Sequence, residues 1–120
     1  MKIFLAEDAP HICARLKELI EAGGEHLVMG CADNHDGAVQ AIAAMKPDVA
    51  IFDIHLKRGN GIDALAEAKR LVPQLVGIVM SNDLSPQHRV LATEAGAVAV
   101  LDKFDEFERV AEILSGLVHE

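Results

Sequence analysis

The stretch Asp48-Val49-Ala50-Ile51-Phe52-Asp53-Ile54-His55-Leu56-Lys57-Arg58-Gly59-Asn60-Gly61 decides the fold of this chain. Val49 to Phe52 is a short unbroken apolar run, the pattern of a strand covered on both faces. It ends on an acid, Asp53, and a loop carrying Gly59, Asn60 and Gly61 follows. In an open parallel sheet, ligands bind beyond the carboxyl ends of the strands. A carboxylate there does little for the fold and is well placed for chemistry, so Asp53 is the residue to explain.

Working outward, the same grammar repeats. Lys2 to Ala6 reads as a buried strand ending at Glu7-Asp8. Pro10 suits a first helical turn, where its missing N–H has no partner to lose. Ile12, Leu16, Leu19 and Ile20 then recur at helical spacing until Gly23-Gly24. His26 to Ala32 is a second strand. Asp33 or Asn34 caps a helix with Ala38, Val39, Ala41, Ile42 and Met45 apolar, closed by Lys46-Pro47. Beyond Asp53, Ile62 to Val72 is a third helix and Leu75 to Met80 a fourth strand leading into Ser81-Asn82-Asp83. Ser85-Pro86 opens a fourth helix that Gly96 closes. Ala97 to Leu101 is a fifth strand, followed by Asp102-Lys103, and Phe104 to Val118 a last helix. Five β-α alternations with short connections predict a doubly wound parallel sheet with helices on both faces, built by right-handed crossovers. The whole chain, 1–120, reads as one domain.

Composition agrees. Hydrophobic residues are 51% of the 120, enough for a core without staples. The formal net charge of −8 repels phosphate backbones, and no local basic patch is visible, so direct nucleic-acid binding is not expected. No run approaches the ~18 apolar residues of a membrane span, and the first residues reach acids too soon for a signal peptide. Cys13 and Cys31 sit in unrelated segments without metal-ligand spacing, and read as buried, reduced thiols of a cytosolic chain. His11, His26, His35, His88 and His119 show no paired metal-ligand spacing, and most of them read as surface residues.

Every polar group that looks out of place follows a strand: Glu7 and Asp8 the first, Asp53 the third, Ser81 the fourth, Lys103 the fifth. These ends share one rim of a doubly wound sheet, so residues distant in sequence converge. Taken singly, each has a plain reading, as a helix cap, a turn hydroxyl or a solvated lysine. Together, three carboxylates in one crevice repel one another and want a cation. An all-oxygen set suits Mg²⁺, which takes one or two carboxylates plus phosphate oxygens. Asp53 could then serve as a nucleophile towards a phosphoryl group, with Ser81 and Lys103 holding the transferred oxygens.

On these residues the chain resembles the receiver domain of two-component response regulators, over essentially its whole length. The resemblance implies a flavodoxin-like (βα)5 fold with a five-stranded sheet in order 2-1-3-4-5. It implies Asp53 as phospho-acceptor, with Ser81 as the switch hydroxyl and Lys103 as the phosphate-binding lysine. Mg²⁺ would be held by Asp8 and Asp53 directly, by Glu7 through water and by the backbone carbonyl of His55. Gly61 matches the glycine after the acceptor loop. The implied partners are a sensor histidine kinase or histidine phosphotransfer protein and a downstream protein target, with neither nucleic acid nor membrane, and a homodimer is compatible. The implied role is a stand-alone, cytoplasmic receiver, not an enzyme beyond self-catalysed phosphorylation and dephosphorylation of Asp53.

The chain departs from the family's pattern at three places. Lys57 stands where proline usually follows the acceptor by four residues. Phe104 stands where proline usually follows the lysine, and a trans bond is expected there because cis without proline costs ~2.5–4 kcal/mol. Val100 stands where the switch aromatic is usual, so signalling is expected to run through the Ser81 loop.

Other readings compete. Asp53-Ile54-His55, followed by Gly59, resembles the Asp-x-His-x-x-Gly motif of cobalamin-binding domains of this fold class, with His55 as cobalt ligand. The downstream Gly-Gly of such domains is missing, and Glu7-Asp8 would have no role. A magnesium-dependent aspartyl phosphatase of the haloacid dehalogenase type would carry a second aspartate two residues after the nucleophile, where this chain has His55. Dinucleotide binding fails because Glu7-Asp8-Ala9-Pro10 replaces a Gly-x-Gly-x-x-Gly turn.

Overall fold

Strands and helices alternate through the whole described chain, residues 1–118 of a computed structural model; His119 lies outside them. The strands are β1 (Lys2–Ala6), β2 (Leu27–Ala32), β3 (Val49–Phe52), β4 (Val76–Ser81) and β5 (Ala97–Asp102). The helices are α1 (Pro10–Glu21), α2 (His35–Met45), α3 (Gly61–Leu71), α4 (Pro86–Glu94) and α5 (Arg109–Val118). The sheet is parallel throughout, in the order β2-β1-β3-β4-β5.

Alternation along the strands sorts the core into two layers. Ile3, Leu5, Ile51, Ile78, Met80 and Leu101 pack with Leu16 and Ile20 of α1 and Val110 and Leu114 of α5. Phe4, Ala6, Phe52 and Val79 point the other way, onto Val39 and Ile42 of α2, Leu65 and Ala68 of α3 and Ala92 of α4. Each such Val, Leu, Ile or Phe stabilises the fold by about 1.5–3 kcal/mol relative to exposure. β3 is buried at all four positions, as its unbroken apolar run predicts.

Helix starts follow local chemistry. The Asn34, Asn60 and Ser85 side chains accept the N–H groups of Gly37, Asp63 and His88 at 2.7, 2.9 and 3.1 Å. Pro10 and Pro86 occupy first-turn positions. At the C-terminus of α2, Lys46 takes a left-handed φ of 49°, ending the helix before Pro47.

Two expectations change. The last helix starts at Arg109 rather than Phe104. Asp102 Oδ1 accepts the N–H groups of Phe104 (2.8 Å) and Asp105 (3.2 Å), and an aspartate bonding forward in this way offers the backbone a turn instead of a helix. Phe107 sits in this turn segment rather than in the helix, and is buried against residues of α1 and α5. The second correction concerns the cysteines. Cys13 of α1 and Cys31 of β2 are joined as a disulfide, with Cα atoms 6.7 Å apart, and Cys31 is exposed. Positions that are remote in sequence become neighbours because β2 runs beside β1 and under α1.

Candidate functional site

The chain order of the sheet reverses at β1. From β1 the chain passes by α1, on one face, to β2; by α2, on the other face, it then returns to β3 on the far side of β1. The loops after β1 and β3 therefore diverge and leave a crevice at the carboxyl end of the sheet. Its floor is set by the backbone. The Glu7 N–H donates to Ala32 O (2.9 Å), Asp53 N–H to Ala6 O (2.8 Å) and Lys103 N–H to Ser81 O (3.0 Å). These three bonds extend the sheet pairing by one residue, so each functional side chain is rooted in a strand end.

Glu7 and Asp53 are 3% and 6% exposed, yet both carry carboxylates. Lys103 Nζ bridges them, at 2.7 Å from Glu7 Oε2 and 2.8 Å from Asp53 Oδ2. Burial raises the Glu7 pKa to about 7; the Asp53 charge adds to the rise, while the Lys103 hydrogen bond and charge oppose it. For Lys103, burial favours the neutral amine, but its hydrogen bonds to Asp53 and Glu7 outweigh that and raise its pKa. One cation thus serves two buried acids. Asp8 completes the set: one ligand oxygen from each of Glu7, Asp8 and Asp53 lies within 4.8 Å of the others. Such a set fits a hard divalent cation with oxygen ligands.

The loop after β3 is braced from several sides. The His55 N–H donates to Asp53 Oδ1 at 3.3 Å, and His55 forms a short antiparallel bridge with Asn60. Lys57 N–H donates to Asp33 O and His35 N–H to Arg58 O, both at 2.9 Å, pairing this loop with the start of α2. Gly61 N–H closes the loop on Ile54 O at 2.9 Å. A Cβ at Gly61 would collide with the Asp53 carbonyl oxygen, so the residue after the loop has to lack a side chain.

Ser81 is fully buried at the end of β4, and its hydroxyl accepts the Asp83 N–H at 3.3 Å. It roots the loop rather than lining the crevice. The crevice, about 410 Å³, is walled by Glu7, Asp8, Asp53, Asn82, Lys103 and Phe104 among others. The Lys103–Phe104 bond is trans, as expected, and Phe104 is 80% exposed at the rim. The His55 ring leans over to the β4 side, its Nε2 3.1 Å from Asp83 Oδ2. Sequence reasoning did not find Asp83, because only folding sets the loop after β4 beside the one after β3. The cobalamin reading needs Asp53 to orient the His55 ring, but the ring pairs with Asp83 while Asp53 holds Lys103. Gly59 also falls one residue beyond that motif's spacing.

The family model of the response regulator receiver domain matches residues 3–115. The chain belongs to the response regulator receiver domain family. It is 31% identical to the chemotaxis protein CheY of Thermotoga maritima over 115 residues, covering 95% of this chain and 94% of that protein. It is 35% identical over 107 residues to a protein-glutamate methylesterase/protein-glutamine glutaminase of Vibrio vulnificus, but spans only 30% of that protein's length. Among solved structures, the response regulator domain of Thermotoga maritima CheB is similar at a TM-score of 0.85 and 25% identity, over 99% of this chain and 93% of that one. A signal receiver domain from Colwellia psychrerythraea, at 20% identity and a TM-score of 0.90 over 100% and 99% of the two chains, shares the fold. A receiver domain is the phosphoryl-accepting module of a two-component system.

Proposed function

We propose that Asp53 is the phospho-acceptor. A carboxylate oxygen of Asp53 attacks the phosphorus of a phosphohistidine on a kinase or phosphotransfer protein. The P–N bond breaks and the imidazole leaves. Asp8, Asp53 and the His55 carbonyl, with Glu7 through water, would hold Mg²⁺, which would neutralise charge on the transferred oxygens. Lys103 already sits on Asp53 Oδ2, and it follows the negative charge onto a phosphoryl oxygen. Ser81 offers its hydroxyl to another such oxygen when the Asp83 N–H releases it. The observation that carries this reading is the convergence of one ammonium and three carboxylates, from the ends of three strands, at the point where the chain order reverses.

The chain works as a signalling module whose chemistry is the formation and hydrolysis of its own acyl phosphate. Its output is the binding of a protein partner in the phosphorylated state or onward relay, in the cytoplasm. The test is intact-mass measurement after incubation with Mg²⁺ and acetyl phosphate. One phosphate is expected, absent from Asp53→Asn and absent without divalent metal. Undiminished labelling of Asp53→Asn would overturn the assignment.

A further inference from the structure

Cys13 and Cys31 flank the acid pair rather than some remote part of the core. Their sulfurs lie 3.8 and 3.7 Å from the Glu7 carbonyl oxygen, against the chain as it leaves β1. The bond between them joins α1 to the edge strand β2. Two other links close the same small circuit. The Glu7 N–H is held by Ala32, the neighbour of Cys31, and the Cys13 N–H by Ala9 O at 3.1 Å. The Ala9 N–H in turn donates to Glu7 Oε1 at 3.2 Å. The disulfide therefore fixes the first turn of α1, which fixes Ala9, which aims the Glu7 carboxylate with Asp8 held between. Cys31 is exposed, and both cysteines line a cleft of about 410 Å³ shared with Glu7, Asp8 and Asp33. A redox partner can reach them.

We propose that Cys13 and Cys31 form a reversible thiol–disulfide site that sets how tightly the Glu7–Asp8–Asp53 cluster binds a divalent cation. Oxidation forms the Cys13–Cys31 bond and breaks the disulfide of a small oxidant such as oxidised glutathione, which leaves as two thiols carrying the two protons. The oxidised form holds the Glu7–Ala9 loop in place before the ion arrives, so less ordering is left for binding to impose. Disulfides in reducing compartments are commonly transient and regulatory, and a site that acts on metal affinity would link the phosphorylation signal to redox state. The coupling rests on the metal reading above, whereas the disulfide itself does not.

The experiment uses the whole chain, oxidised with oxidised glutathione or reduced with dithiothreitol, and Mn²⁺ as the probe, followed by electron paramagnetic resonance. Intact mass should show the loss of two hydrogens on oxidation, and its reversal on reduction. The oxidised protein should bind Mn²⁺ roughly three- to tenfold more tightly, the scale expected from ordering one short loop. Cys13→Ser and Cys31→Ser should each bind like the reduced wild type and ignore oxidant. Two alkylatable thiols after oxidant treatment would overturn the site. Equal affinity of the two redox forms would overturn the coupling. Absence of Mn²⁺ binding in both forms would defeat the metal reading and the coupling together, leaving the thiol count to judge the disulfide.

Discussion

The ends of β1 and β3 and the end of β4 lie on one rim but are held by different forces. At β1 and β3, two buried carboxylates share one half-buried ammonium, and the loop after β3 is pinned by backbone bonds to the start of α2. At β4, only Ser81 is buried; Asn82 and Asp83 are exposed, and the loop is held by the Ser81 hydroxyl, the His55–Asp83 contact and the Ser85–His88 cap. Few buried contacts and exposed hydrogen bonds mark a segment of low local stability. The rigid side suits chemistry, which requires fixed geometry. The looser side suits reporting, which requires two arrangements close in energy.

The comparison is broken most severely at Lys103. Lys103→Met removes the one cation shared by Glu7 and Asp53, and the rate of phosphorylation by acetyl phosphate should fall about 10²–10³-fold, as for loss of a donor to transferred oxygens. An unchanged rate would show that the ammonium serves stability alone. Gly61→Ala comes next. Its Cβ meets the Asp53 carbonyl, which belongs to the rigid side and has nowhere to move, so urea denaturation should show a loss of about 1–3 kcal/mol. A neutral effect would mean that the acceptor loop is more yielding than its bonds suggest.

The smallest expected effect is a shift of position. A beryllofluoride phosphate mimic competes for the Ser81 hydroxyl through a charge-assisted bond worth about 1.5–3 kcal/mol. That is enough to redistribute a loop between two arrangements. Backbone NMR should place the largest changes at Ser81-Asn82-Asp83 and the start of α4 near Ser85. Val100 is half-buried and has no ring to swing, so it should change little. Changes centred on Val100 and α5, with a still Ser81 loop, would assign the looseness to the other edge of the sheet.

The sequence by itself determined the β-α alternation and the strand-end positions of Glu7, Asp8, Asp53, Ser81 and Lys103. Apolar runs, capping residues and Gly or Pro stops act locally and can be read in a window of a few residues. It determined the trans bond before Phe104 for the same reason, since the cost of cis belongs to that one peptide. Only the tertiary structure decided what meets what. The Cys13–Cys31 pairing depends on β2 lying under α1, and the His55–Asp83 contact on two loops 28 residues apart sharing the rim. The late start of α5 is a local effect that the apolar periodicity hid, because the Asp102 carboxylate takes the Phe104 and Asp105 N–H groups into a turn. The partners of a polar side chain are set by distances through space, and those distances exist only once the hydrophobic layers have brought the strands together.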